Sequence, residues 1–168
     1  TRAQMDGDIR NARSLTVSAQ GTNTADGNVK TVSGALVGAG FGAVATATIS
    51  ETADVDAVVG EPGSVNVVDA VLVNALAVQN LADAQVNGDA GALLSVAKAT
   101  TTATVGGGTL AQLDGDILSA GAVTVMADGT NLARAKSNTL SVGLLGGGAE
   151  ATSTAAVTKD ADVNALVG

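Results

Sequence analysis

Shifted by 108 positions, the chain falls on itself without a gap. Residues 5–60 overlie residues 113–168, and 26 of these 56 positions are identical. Met5-Asp6-Gly7-Asp8-Ile9 meets Leu113-Asp114-Gly115-Asp116-Ile117, and Gly21-Thr22-Asn23 meets Gly129-Thr130-Asn131. Ala53-Asp54-Val55-Asp56-Ala57 meets Ala161-Asp162-Val163-Asn164-Ala165. Such self-similarity marks an array of stacked units, each too thin to bury its own apolar face. A weaker match at a shift of 50 sets Val17 on Val67, Ala47 on Ala97 and Val55 on Val105. It predicts units of about 50–58 residues, two unlike units making the super-repeat. Val105 to Val125 is then eight residues longer than Val55 to Val67, and the extra length is read as holding Gly106-Gly107-Gly108 and the approach to Asp114-Gly115-Asp116. The 168 residues then form a single repeat-array segment, with units at approximately 5–62, 63–112 and 113–168.

Inside each unit the local period is two. Leu15, Val17 and Ala19 alternate with Thr16 and Ser18; Ala43, Ala45, Ala47 and Ile49 alternate with Val44, Thr46 and Thr48. Alternation of this length predicts strands with one buried face. Turn residues punctuate them at Gly21-Thr22-Asn23, Asp26-Gly27-Asn28, Glu61-Pro62-Gly63, Asn87-Gly88-Asp89 and Asp128-Gly129. Pro62 before Gly63 suits the centre of a type II turn. Residues 75–84 are the exception: Leu76, Ala77 and Leu81 also fit a helical face. Strands recurring at a fixed period predict an all-β fold, a parallel β-solenoid in which rows such as Val17, Val67 and Val125 stack. Each unit is either two coils or one wide coil with a hairpin excursion.

Composition sharpens this reading. Ala, Val, Gly and Thr dominate, and Phe41 is the sole aromatic. Ala is a poor strand former, but its small size lets opposite walls of a narrow core approach. The net charge is −8, and the eight basic residues are scattered, so nucleic acid is not an expected partner. There is no Cys and no apolar run long enough for a transmembrane helix, so no membrane insertion is expected of this segment. Thr1 opens no signal-peptide pattern, and we read the chain as an interior piece of a longer one.

Several segments resemble the large filamentous-haemagglutinin and leukotoxin-like adhesins of Gram-negative bacteria. The resemblance rests on Ser14-Leu15-Thr16-Val17-Ser18-Ala19 and on Val32-Ser33-Gly34-Ala35-Leu36-Val37-Gly38-Ala39-Gly40 before the alternating alanine run. It also rests on Ala53-Asp54-Val55-Asp56-Ala57, and it recurs at Val123-Thr124-Val125-Met126-Ala127 and at residues 141–149. It spans nearly the whole chain as a style of repeat, without a catalytic motif. The resemblance implies type V secretion, an extracellular or bacterial cell-surface setting, and a long fibre mediating attachment or self-association. The function expected is a structural and adhesive fibre segment of a giant surface protein, acting as rigid spacer and attachment surface. The alternative is a self-assembling filament subunit stacking end to end. Partners would be neighbouring repeats of the same chain, copies of itself, or a host or neighbouring-cell surface.

Chemistry is sparse. With neither His nor Cys, a hydrolase would need a Ser–Lys pair or two carboxylates, so no enzyme, catalytic residue or cofactor is expected. Asp6, Asp8, Asp114 and Asp116 could contribute to a Ca²⁺ shell, which requires six to eight oxygens; the simpler reading is a turn whose Asp accepts backbone N–H bonds, and no metal site is assigned. The glycine runs 106–108 and 146–148 lack the Lys and Ser/Thr of a phosphate loop. The threonines at 46, 48, 100–102, 152 and 154 suggest an ice-binding ladder, but under the 50-residue shift Thr46 meets Val96 and Thr48 meets Lys98. They are therefore read as solvent-facing strand residues. Far-UV circular dichroism should show a strand spectrum; a mainly helical one would overturn the whole reading.

Overall fold

The computed structural model describes residues 1–61 and 63–168, and every regular element in them is a strand. The order is β1 (Arg2–Met5), β2 (Ile9–Ala12), β3 (Leu15–Gly34), β4 (Gly38–Ile49), β5 (Val55–Val59), β6 (Ser64–Val67), β7 (Ala70–Val105), β8 (Thr109–Leu113), β9 (Asp116–Ser119), β10 (Ala122–Val157) and β11 (Val163–Val167). Residues 75–84 lie within β7, so alternation prevails over the helical face there. All pairings are parallel. One sheet runs β1-β5-β8-β11, a second β2-β6-β9, and the third places β7 between β10 on one side and β3 with β4 on the other. The chain therefore passes three times through the same sequence of strands, each pass hydrogen-bonded to the next. Parallel neighbours need a long crossover, and the remainder of each pass provides it.

Asn23 pairs with Asn80, 57 positions on, and Asn80 with Asn131, a further 51 on. Together these two steps make the 108-residue period, so the super-repeat is two passes. The row expected at a 50-residue shift is corrected: Val17 stacks on Val73 and then Val125, not on Val67, which pairs with Ala12. Ala47 likewise meets Ala103, and Val55 meets Thr109. Alternating small residues match themselves at many even shifts, so local similarity alone does not fix their register. Gly106-Gly107-Gly108 is also corrected. It is a short link between β7 and β8, where residues 50–54 and 158–162 join the corresponding strands of the neighbouring passes. A β-carbon on Gly107 would stand 2.5 Å from the Ala53 carbonyl oxygen, so only glycine fits this tight link.

Two apolar clusters form the core. The first packs the short-strand sheets against the start of the long strands, with Val59, Val65, Val73, Ala111 and Leu113 sealed from solvent. Burying a Val or Leu side chain contributes about 1.5–3 kcal/mol. The second lies between the two halves of the long strands, where Ala82, Ala84 and Val86 face Ala99, Ala103 and Val105. This extension is two walls thick and lined mainly with alanine. At Gly27 a β-carbon would stand 2.7 Å from the Thr46 carbonyl oxygen. Gly88 faces the Phe41 ring and has no room for a β-carbon.

Most of the expected turns fall inside strands. Gly21-Thr22 and Gly129–Asn131 are register shifts where the chain leaves the first core for the second; such irregularities bend a strand. Asp26-Gly27-Asn28 and Asn87-Gly88-Asp89 are extended, because their glycines meet the close approach of the facing wall or its ring. The Glu61-Pro62-Gly63 turn lies partly outside the described residues at Pro62; Gly63 N–H donates to the Gly60 carbonyl at 3.2 Å.

Beside the register shifts at Gly21-Thr22 and Gly129–Asn131 sits an internal asparagine ladder. Asn23 Nδ2 donates to Asn80 Oδ1 at 2.9 Å, and Asn80 Nδ2 to Asn131 Oδ1 at 2.7 Å. The same amides donate to the carbonyls of Ala53, Gly107 and Ala161, binding the corner of each pass to the link that ends it. Asn80 is fully buried. Asn80→Ala should destabilise the chain by about 1–3 kcal/mol or more, since it leaves buried partners unsatisfied; urea denaturation measures this, and a change within error would contradict the ladder's role.

Candidate interaction surfaces

The Asp-Gly-Asp positions do not converge. Asp6 and Asp8 lie on the first pass and Asp114 and Asp116 on the third. Gly7 takes a left-handed φ of 111°, which explains the glycine at this turn. Asp8 accepts from Ser64 N–H at 3.1 Å, Ser64 Oγ at 2.6 Å and Arg10 at 2.8 Å. Asp6 accepts from Gln4, and Asp114 from Gln112. Among the described residues no cluster of three or more potential metal ligands forms. Asp8 is thus a cross-pass anchor, and the hydrogen bonds from Ser64, then Arg10, hold its pKa below the ordinary carboxylate value.

The walls of the extension differ in chemistry. The outward side of the first wall carries Asp26 and Lys30, then Asp83 and Asp89, then Arg134 and Lys136 on successive passes. The outward side of the second carries a threonine grid. Thr46 pairs with Thr102 and Thr102 with Thr154; Thr48 pairs with Thr104, and Thr100 with Thr152. The broken ladder expected from the 50-residue shift is therefore corrected: Thr46 meets Thr102, not Val96, and Thr48 meets Thr104, not Lys98. Val44 and Ala156 complete a block of three rows by three passes that contains no charge. The one ion pair on this side, Lys98–Glu150 at 3.3 Å, lies just beyond it.

Where the two walls meet, the chain exposes an apolar ridge. Leu36 is 90% exposed and Leu144, its counterpart one super-repeat later, 83%. With Val37, Leu93 and Val142 they line a shallow apolar depression that crosses all three passes. Val37 and Leu145 beside them are exposed as well. The sequence signal for the ridge is a break in alternation: Leu36-Val37 and Leu144-Leu145 are apolar doublets at equivalent positions.

Electrostatics on the short-strand side are unfavourable at one point. Asp56 has its pKa raised, first by partial burial and then by Asp54. A carboxyl whose folded pKa is raised contributes stability in acid that is lost as pH rises through that pKa; Asp8, with a lowered pKa, has the opposite sign. Asp56→Asn, the residue standing at Asn164 one super-repeat on, should therefore raise the melting temperature at neutral pH, by under about 1 kcal/mol of stability. The gain should vanish below the carboxylate range; thermal melts across pH check this.

No protein-family model, curated protein or solved structure matches the chain.

Proposed function

We propose that the three passes are coils of a parallel β-solenoid, and that the chain is a structural and adhesive fibre segment of a giant secreted cell-surface protein. The observation that carries this reading is the identity of the 108-residue period with two hydrogen-bonded passes. Such an array lengthens by about 4.8 Å per pass while the internal asparagine ladder and alanine walls repeat without change of design. That is what a rigid spacer requires. The acidic balance of the chain, −8 overall, favours a dispersed fibre. The apolar ridge supports attachment, because it recurs on each pass and so offers a line of contact along the fibre. The resemblance to filamentous adhesins of Gram-negative bacteria agrees with this setting.

Self-assembly is the second reading, favoured by the match between first and third passes. Stacking copies would set Arg134 on Asp26 and Asn131 on Asn23, extending the asparagine ladder across the junction.

Beads displaying the chain should adhere to target cells or to one another, and Leu36→Asp combined with Leu144→Asp should abolish this while leaving the melting temperature unchanged. Adhesion undiminished in the double variant would remove the ridge as attachment surface. Sedimentation across a dilution series separates the two readings: a concentration-independent monomer supports the spacer, and mass rising with concentration supports the filament.

A further inference from the structure

The threonine grid of the second wall is a more ordered feature than a solvated strand face requires. Its rows follow the strand-pairing register without a shift: β4 pairs with β7 from Gly38 to Ile49, and β7 with β10 from Leu94 to Val105, uninterrupted. Threonines along one strand are therefore about 6.6–6.8 Å apart, and those on successive passes about 4.8 Å apart. The wall behind them is stiff, since Ala45, Ala47, Ala99 and Ala103 pack into the sealed second core. The hydroxyls that pair within the extension belong to inward residues, among them Thr101 with Ser153 and Ser95 with Ser141. The outward hydroxyls face solvent.

We infer that this face binds crystalline ice. A regular grid of hydroxyl and methyl groups holds a layer of water at fixed lateral spacings, and those spacings resemble the oxygen rows of hexagonal ice. Water held in a lattice-like layer can join a growing crystal with little further ordering, which is the entropy otherwise opposing adsorption. The absence of charge from the nine-position block is the second requirement, because a Lys or Asp would orient water radially about itself. The opposite wall of the same extension, with Asp26, Asp83 and Arg134 in one row, lacks this property. The grid offers little to other occupants: no aromatic for sugar stacking, no cationic row for phosphate, and no pocket for a side chain. Each further pass of the same kind would widen the grid, so an extended array provides the area that firm adsorption needs.

The test is partition into a slowly growing ice front, together with microscopy of ice recrystallisation, on the full 168-residue chain and two variants. Thr102→Tyr places a bulky ring at the centre of the grid; Asn28→Tyr places the same ring on the charged wall. The chain and Asn28→Tyr should be taken up by ice and retard recrystallisation, whereas Thr102→Tyr should lose both effects with its melting temperature retained. Should Thr102→Tyr not fold, Thr46→Lys on the outer pass makes the same comparison. Exclusion of the unaltered chain from ice, equal activity in Thr102→Tyr, or retention by a polysaccharide matrix without any effect on ice would each overturn the inference.

Discussion

The distance between the two walls of the extension governs most of what the chain contains. A β-carbon at Gly27 would stand 2.7 Å from a carbonyl of the facing wall, and the second core is otherwise built largely of alanine. Leucine or phenylalanine facing inward throughout would force the walls apart and break the hydrogen bonds that join successive passes. The low aromatic content follows from this geometry. Phe41, the sole aromatic, is accommodated because the facing residue is Gly88. Interior hydroxyls can find each other, as Thr101 does with Ser137 and Ser153, whereas those of Thr31 and Thr109 are buried without a partner. An unpaired hydroxyl there costs about 1–3 kcal/mol.

Stacking imposes a second constraint, on length. The short-strand sheet containing β1 advances evenly, 54 positions from Ala3 to Ala57, from Ala57 to Ala111 and from Ala111 to Ala165, while the asparagine rows advance 57 and then 51. A pass that gains residues at one corner must lose them at another before it returns to the same sheet. The glycine link 106–108 is where the middle pass recovers this length, and its lack of side chains lets it fold tightly against Ala53. The asparagine amides then join that link to the bulged corner, so register and corner geometry are fixed by the same side chains.

Strand content and one-sided burial were legible in the sequence because inward and outward residues differ at every step of the alternation. Register was not. Alanine opposite alanine carries no information about which alanine it is, so the weak match at 50 residues placed Val17 on Val67 in place of Val73. The threonine grid is invisible at that shift, since its rows exist only in the observed register. The information was present in residues read differently: Asn23 and Asn131 looked like turn formers beside their glycines, whereas a buried Asn in an extended strand hydrogen-bonds its counterparts above and below. The apolar doublet Leu36-Val37 broke the alternation visibly, but nothing in its local pattern placed it at the meeting point of two walls.

Comparing rows across the three passes separates what the architecture demands from what a surface can vary. Ala25, Ala82 and Ala133 form one inward row, unchanged in chemistry. The adjacent outward row reads Asp26, Asp83 and Arg134, reversing its charge within two steps. Neighbouring positions on one backbone thus obey different rules, since only the inward row meets a facing wall. An outward row that keeps its chemistry is then informative, because packing does not require it to. Thr46, Thr102 and Thr154 form such a row, and Leu36 and Leu144 hold equivalent points on the ridge. Those two features, rather than the variable charged wall, are where the surface of this chain keeps its chemistry from pass to pass.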